Sequence, residues 1–322
     1  MPPRRKAAMT ADLELAATVQ REWALVPQAV FDVPSMLSFD ERVLLHWAAR
    51  QGVGAVGATV DAGCYLGGST LPLGYGLRES AEDTFEGRPR RVHSFDLFVV
   101  GADWERIYYP EDFSFEVGKS IISLYERHIA PVRELVQIYH GDLLGFRWAG
   151  EPISTLFIDV TKTWQLSDHV VEQFFPSLLP DAVVVHQDLV HWAHPWCAIV
   201  MEMLSDYVEF LGHVFFSSAV YRVREPIPNS ALPTGLLERL SAEEALALVD
   251  RCAERIGTPF AGLVKLAGAG ALACFGEFEA ARARVRELVG TYDDENAPYI
   301  SQGFEQMPRW IDGIESGAEP VF

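Results

Sequence analysis

Between residues 55 and 211 the sequence alternates short apolar runs with stretches of helical period. No other feature restricts the fold as much. Strands that alternate with helices lie parallel, because each helix returns the chain to the same end of the sheet and covers one of its faces. The runs are VGATVDAG (56–63), RVHSFDLF (91–98), LVQIYHGD (135–142), STLFIDV (154–160) and AVVVHQD (182–188). This pattern predicts an α/β fold, a Rossmann-like doubly wound sheet. PWCAIVMEMLSDYVEFLG begins as a helix and ends extended, and VFFSSAVYRV (214–223) follows with no helix between. The last strands are therefore expected to pair antiparallel, giving a mostly parallel sheet with an antiparallel strand near its C-terminal end.

The flanking regions read as helical additions. Residues 11–24 have helical period, and SFDE (38–41) is a capping box that opens a helix over 38–50. Within the alternating region, 69–80, 120–130 and 168–179 read as helices, the last capped by Ser167. Residues 99–118 carry Trp104, Tyr108, Tyr109, Phe113 and Phe115 among acids without period, which suits an insertion or lid. PIPNSALPTG (226–235) is a break. Beyond it SAEE (241–244) caps a helix ending near Gly257, and 265–289 reads as a helical hairpin turning at Phe275–Gly276. Its small-residue stretch KLAGAGALACFG suits close helix packing or a homodimer interface. The final thirty residues read as a tail holding Tyr299, Phe304, Trp310 and Phe322. Three regions follow: 1–54, 55–225 and an accessory 226–322.

Charge and cysteine usage narrow the partners. A net charge of −19 argues against nucleic acid and anionic membranes, since phosphate binding needs a basic surface. The apolar runs are broken short of a membrane span. The N-terminal MPPRRKAAMT is basic but no apolar stretch follows, so it is not a secretory signal. Cys64, Cys197, Cys252 and Cys274 are far apart and lack metal spacing, as expected of thiols in a reducing cytoplasm.

Chemistry is expected where the strands end, because open parallel sheets bind ligands beyond the carboxyl ends of their strands. VDAGCYLGGST (60–70) places Asp61 two residues before Gly63, with Gly67 and Gly68 beyond. The first G-x-G of a dinucleotide fingerprint is missing, and an acid at that place suits a cationic ligand better than a pyrophosphate. Asp96 ends the second run, where a carboxylate can take a ribose diol. Asp142 follows the third run, where it can face an adenine amino group. Asp159 ends the fourth and Asp188 the fifth. The segment HQDLVHWAHPW adds His186, His191 and His194, residues suited to proton transfer near neutral pH. Lys162 can pair with Asp188 or bind an acidic acceptor.

VDAGCYLGGST, VHSFDLF, HGDLL and TLFIDVTKTWQLSDHVVEQFFPSLLPDAVVVHQD, taken in order, resemble the motifs of class I S-adenosylmethionine-dependent methyltransferases. The similarity is greatest to the bacterial small-molecule group that includes macrocin-type sugar O-methyltransferases, and it covers about residues 55–225. The resemblance implies that S-adenosylmethionine is the cofactor. Asp61, Gly63, Gly67 and Ser69 would line its methionine part, Asp96 its ribose and Asp142 its adenine, with Asp159 beside the sulfonium. His186, His191 and Asp188 would serve the methyl acceptor, a hydroxyl of a sugar or secondary metabolite. Macrocin-type enzymes also hold a divalent metal, through an acid after the fourth strand and paired acids after the fifth. Here one acid, Asp188, stands after the fifth, so Mg2+ on Asp159 and Asp188 is an alternative to a histidine base. Two other readings are a nicotinamide-dependent oxidoreductase and a catalytically silent member of the fold that binds a ligand or partner.

Overall fold

A computed structural model describes residues 14–51, 57–80, 84–85, 88–214, 217–257, 259–292 and 298–318. The strands are β1 (Ala58–Ala62), β2 (Thr84–Phe85), β3 (Arg88–Pro89), β4 (Val92–Asp96), β5 (Val136–His140), β6 (Ile153–Ile158), β7 (Leu178–His186), β8 (Val208–Val214) and β9 (Ser218–Val223). Seven of them form one sheet in the order β5-β4-β1-β6-β7-β9-β8. β1 runs parallel to both β4 and β6, with Val60 opposite His93 and Leu156. β8 and β9 are antiparallel, with Val208 opposite Val223. The sheet is thus mixed and mostly parallel, as the alternation of runs predicts. The direction of winding reverses between β1 and β6, which makes the carboxyl ends of these two strands the switch point of the sheet. β2 and β3 pair as a short separate hairpin that the sequence did not announce.

The chain divides into two compact units. One contains Ala16–Asp159 and Ser177–Val185. Its helices are α1 (14–22), α2 (Ala29–Asp32), α3 (Phe39–Gln51), α4 (Thr70–Arg78) and α5 (Ile122–His128). The capping box of α3 is present: Ser38 N–H donates to Glu41 at 2.8 Å and Glu41 N–H to Ser38 Oγ at 3.2 Å. α1 is fastened to α3 by a buried carboxylate, Glu22, which meets His46 Nδ1 at 2.7 Å and Arg50 Nε at 2.8 Å. β1 and β6 are buried along their whole length, so both faces of the sheet centre are covered.

The other unit is formed mainly by Val160–Pro176 and His186–Phe322. α6 spans Trp164–Phe174, one turn earlier than Ser167 as a cap predicts. Thr163 is the cap and accepts from Leu166 N–H at 3.1 Å. The buried stripe Trp164, Ser167, Val170, Val171 and Phe174 already begins at Trp164, so burial outweighs the second capping signal. The following helices are α7 (Pro195–Met203), α8 (Leu236–Arg239), α9 (Ala242–Ile256), α10 (Ala261–Cys274), α11 (Phe278–Tyr292) and α12 (Pro298–Glu315). The cap Ser241 and the stop Gly257 of α9 are where the sequence places them.

α12 corrects the reading of a C-terminal tail. Ile300, Phe304, Met307 and Ile311 recur at helical spacing and are buried together with Leu263, Leu266 and Trp192. Gly303 and Pro308 disfavour a helix by propensity, yet Gly303 is there because Trp192 lies where its Cβ would stand, 2.7 Å from the indole. The small residues of α10 are used inside the same bundle: Gly262 faces Tyr292 and Gly270 faces Trp310. Tyr299 has no described side chain and Phe322 lies outside the described residues. Among the described residues no helix is long and apolar enough to cross a membrane.

Candidate active site

At the end of β1 the chain turns through Gly63 (φ 96°), Tyr65 (φ 43°) and Gly67 (φ 93°). Asp61, fully buried, stands under this turn. Its Oδ2 accepts from Ser69 Oγ at 3.1 Å and from Thr70 Oγ1 at 2.5 Å, which ties the strand to the first residues of α4. Among the described residues its Oδ1 has no hydrogen-bond partner. Burial pushes the Asp61 carboxyl up to about 7; the Thr70 and Ser69 hydroxyls oppose that shift, and the nearby Asp96 and Asp159 add to it.

The sign of the pH effect follows. A carboxyl whose pKa is higher folded than unfolded binds more protons in the folded state, so its contribution to stability falls as pH rises through the interval from about 4 to about 7. Melting temperatures of the ligand-free protein at pH 5 and pH 8 are expected to show this loss, and Asp61→Asn, which cannot titrate, is expected to reduce it. An equal pH slope in the two proteins would show that Asp61 is not the group responsible.

Asp96 closes β4. Its Oδ2 accepts from Tyr65 N–H and its Oδ1 from Phe98 N–H, each at 2.7 Å. Burial raises its pKa, and these backbone donors work against the rise. A carboxylate oxygen can accept two hydrogen bonds, so capacity for a ligand hydroxyl remains. Asp159 follows β6, its N–H donating to Ala62 C=O at 2.7 Å, which holds the ends of β1 and β6 together. Asp142 is exposed and caps a short 3-10 turn by accepting from Leu144 N–H at 3.0 Å. Asp61, Gly63, Gly67, Ser69, Asp96 and Asp159 thus gather at the switch point.

The second group of side chains follows β7, which stops at His186 and leaves Asp188 in the turn beyond with φ 59°. His186 is buried, and its Nδ1 lies 2.9 Å from Gln187 C=O. A carbonyl only accepts, so Nδ1 carries the proton and Nε2 the lone pair. Burial pushes this histidine down to about 4, so it is neutral near pH 7. His191 has the opposite arrangement: its Nδ1 accepts from Ala193 N–H at 3.1 Å, which puts the neutral ring's proton on Nε2. His191 stacks on His194 at 5.0 Å, and His194 Nδ1 lies 3.8 Å from Asp188. Lys162 forms an ion pair with Asp188. Burial alone would raise the Asp188 pKa, but Lys162, then His194 and His191, hold it well below the usual carboxylate range. Gln187 is clamped by Ser217 and Ser218.

The Asp188 surroundings do not fit magnesium. Its charge is already met by Lys162, and its other neighbours are imidazoles, whereas Mg2+ takes an octahedron of oxygens. Among the described residues no group of three or more His, Cys, Asp and Glu stands so as to hold a metal ion. Sequence reasoning missed Thr70, although Ser-Thr directly after the glycines was a signal of hydroxyls aimed back at the strand. It also missed Glu105, which sits in a stretch without period and gave no signal.

No protein-family model matches the chain, and no curated protein matches it. Solved structures similar in part to this chain include the O-methyltransferase NovP, at 15% identity and a TM-score of 0.46 over 60% of this chain and 83% of that one. CalS11, a TDP-rhamnose 3'-O-methyltransferase in calicheamicin biosynthesis, is 16% identical with a TM-score of 0.41 over 64% of this chain and 93% of its own. The O-methyltransferase TomG from Streptomyces achromogenes, bound to SAM, is 17% identical with a TM-score of 0.39 over 65% and 89%. Each is a likeness of fold alone.

Proposed function

We propose that this protein is an S-adenosylmethionine-dependent methyltransferase that methylates a hydroxyl of a small molecule, a sugar or secondary metabolite. The observation that carries the reading is Asp61: a buried acid at the switch point, beside a glycine turn, with one oxygen unpartnered among the described residues. Such a group suits a ligand that brings positive charge and does not suit a pyrophosphate. Gly63 is half-buried and offers its backbone to the methionine part, Gly67 makes the turn close against Ile129 and Tyr125, and Ser69 joins Asp61 there. Asp96 offers acceptor capacity to a ribose diol, Asp142 stands after β5 for the adenine edge, and Asp159 lies beside Asp61 for the sulfonium.

The chemistry the cofactor supplies is an electrophilic methyl group on sulfur. The chain's own work is to orient the acceptor and take its proton. His186 is the base in this account, because its lone pair is on Nε2 and the ring is neutral near pH 7. His191 carries its ring proton on Nε2, and Lys162 fixes Asp188. The test is transfer of a labelled methyl group from S-adenosylmethionine to a panel of sugar and phenolic hydroxyls, with and without EDTA. Labelled product, undiminished by EDTA, is expected. Cofactor binding without product on any acceptor would favour a silent member of the fold, and EDTA sensitivity restored by magnesium would favour a metal.

A further inference from the structure

Tyr65 occupies the middle of the glycine turn in the left-handed region, φ 43°, a conformation costly for a bulky side chain. Phe98, in the turn after β4, is a second such residue, φ 50°. One carboxylate, Asp96, takes the backbone N–H of both. The two strained turns are therefore joined. Backbone strain of this kind persists only where surrounding contacts hold it, and the contacts that hold Tyr65 point to what it does.

The Tyr65 phenol lies 3.1 Å from Glu105 Oε2 and donates to it. Glu105 belongs to a 3-10 helix, Asp103–Tyr108, inside the segment after β4. Its carboxylate also accepts from Gly101 N–H at 3.1 Å and lies where a Cβ on Gly101 would stand. Tyr65 meets the Tyr109 ring edge-on at 6.1 Å. The segment is closed at its base like a flap. Val99 bridges Ser120, Val100 N–H donates to Lys119 C=O at 2.8 Å, and Ile121 N–H donates to Phe98 C=O at 2.8 Å. Its interior is a small aromatic core, with Tyr109 packed on Phe113 at 5.0 Å and on Phe115 at 5.1 Å.

We propose that Tyr65 is a positioning residue that latches the flap 99–120 onto the glycine turn through Glu105, and that release of this latch sets how fast the ligand leaves. The assignment of the ligand as S-adenosylmethionine or its product rests on the function proposed above; the latch itself does not. A hydroxyl-to-carboxylate hydrogen bond and the strain at Tyr65 are of the same order, so loss of the one frees the other. Glycine at this position would form the turn without strain but would leave the flap untied.

The test compares the wild type with Tyr65→Phe, which keeps ring and bulk and removes only the hydroxyl, and with Glu105→Gln, which keeps an acceptor oxygen. Hydrogen exchange of the free protein is read at amides 99–120 and, as a control, in β5. Stopped-flow measures release of S-adenosylhomocysteine. Tyr65→Phe is expected to raise exchange in 99–120 and to speed release by about tenfold, with β5 unchanged and Glu105→Gln close to wild type. Exchange in 99–120 equal to wild type, or raised equally in β5, would overturn the latch. Failure of the wild type to bind S-adenosylhomocysteine would overturn the proposed function instead, and the exchange comparison would still decide the latch.

Discussion

Replacing His186 with alanine is expected to slow methyl transfer by about 10²–10⁴-fold, the range for loss of a general base. Affinity for S-adenosylhomocysteine should stay within about twofold, because the effect belongs to proton transfer and not to cofactor binding. The argument is one of tautomer and charge. Gln187 C=O fixes the His186 proton on Nδ1, and burial keeps the ring neutral, so Nε2 is free to accept. His191→Ala should cost less, since its Nδ1 lone pair is taken by Ala193 N–H and the ring can only donate from Nε2. Steady-state kinetics on both variants, with EDTA present and absent, provide the check. Full activity in both variants together with EDTA sensitivity would move the chemistry from histidine to a metal.

Asp96→Ala is expected to weaken both cofactor binding and the fold, each by about 1–3 kcal/mol, the order for hydrogen bonds to a buried charged group. The proposed ribose contact accounts for the first loss. The second comes from the N–H groups of Tyr65 and Phe98, two left-handed residues left without their acceptor. Asp96→Asn keeps one carbonyl oxygen and should fall between the wild type and alanine. Denaturant titrations with and without S-adenosylhomocysteine separate the two effects. A binding loss with no change in the ligand-free midpoint would mean that the turns hold themselves.

Much of this site could be read in the sequence, because it lies where regular elements end. Asp61, Asp96 and Asp159 were found by counting to the ends of apolar runs, and the structure brings all three to the switch point. Asp142 was found the same way, and the structure uses its side chain as a turn cap. The part that could not be read depends on contacts distant in sequence. Nothing local shows that Tyr65 reaches Glu105, forty residues on. Of the two uses the sequence left open for Lys162, the structure shows the ion pair with Asp188. α12 escaped notice for a related reason: Gly303 and Pro308 are helix breakers by propensity, and burial of Ile300, Phe304, Met307 and Ile311 overrides them.

The central claim is that the glycine turn after β1 takes a sulfonium cofactor and not a dinucleotide. Calorimetry with S-adenosylhomocysteine and with NAD addresses it most directly. The account predicts a micromolar Kd for S-adenosylhomocysteine, lost or weakened in Asp96→Ala, and no measurable heat with NAD. Tight NAD binding with no response to S-adenosylhomocysteine would contradict it.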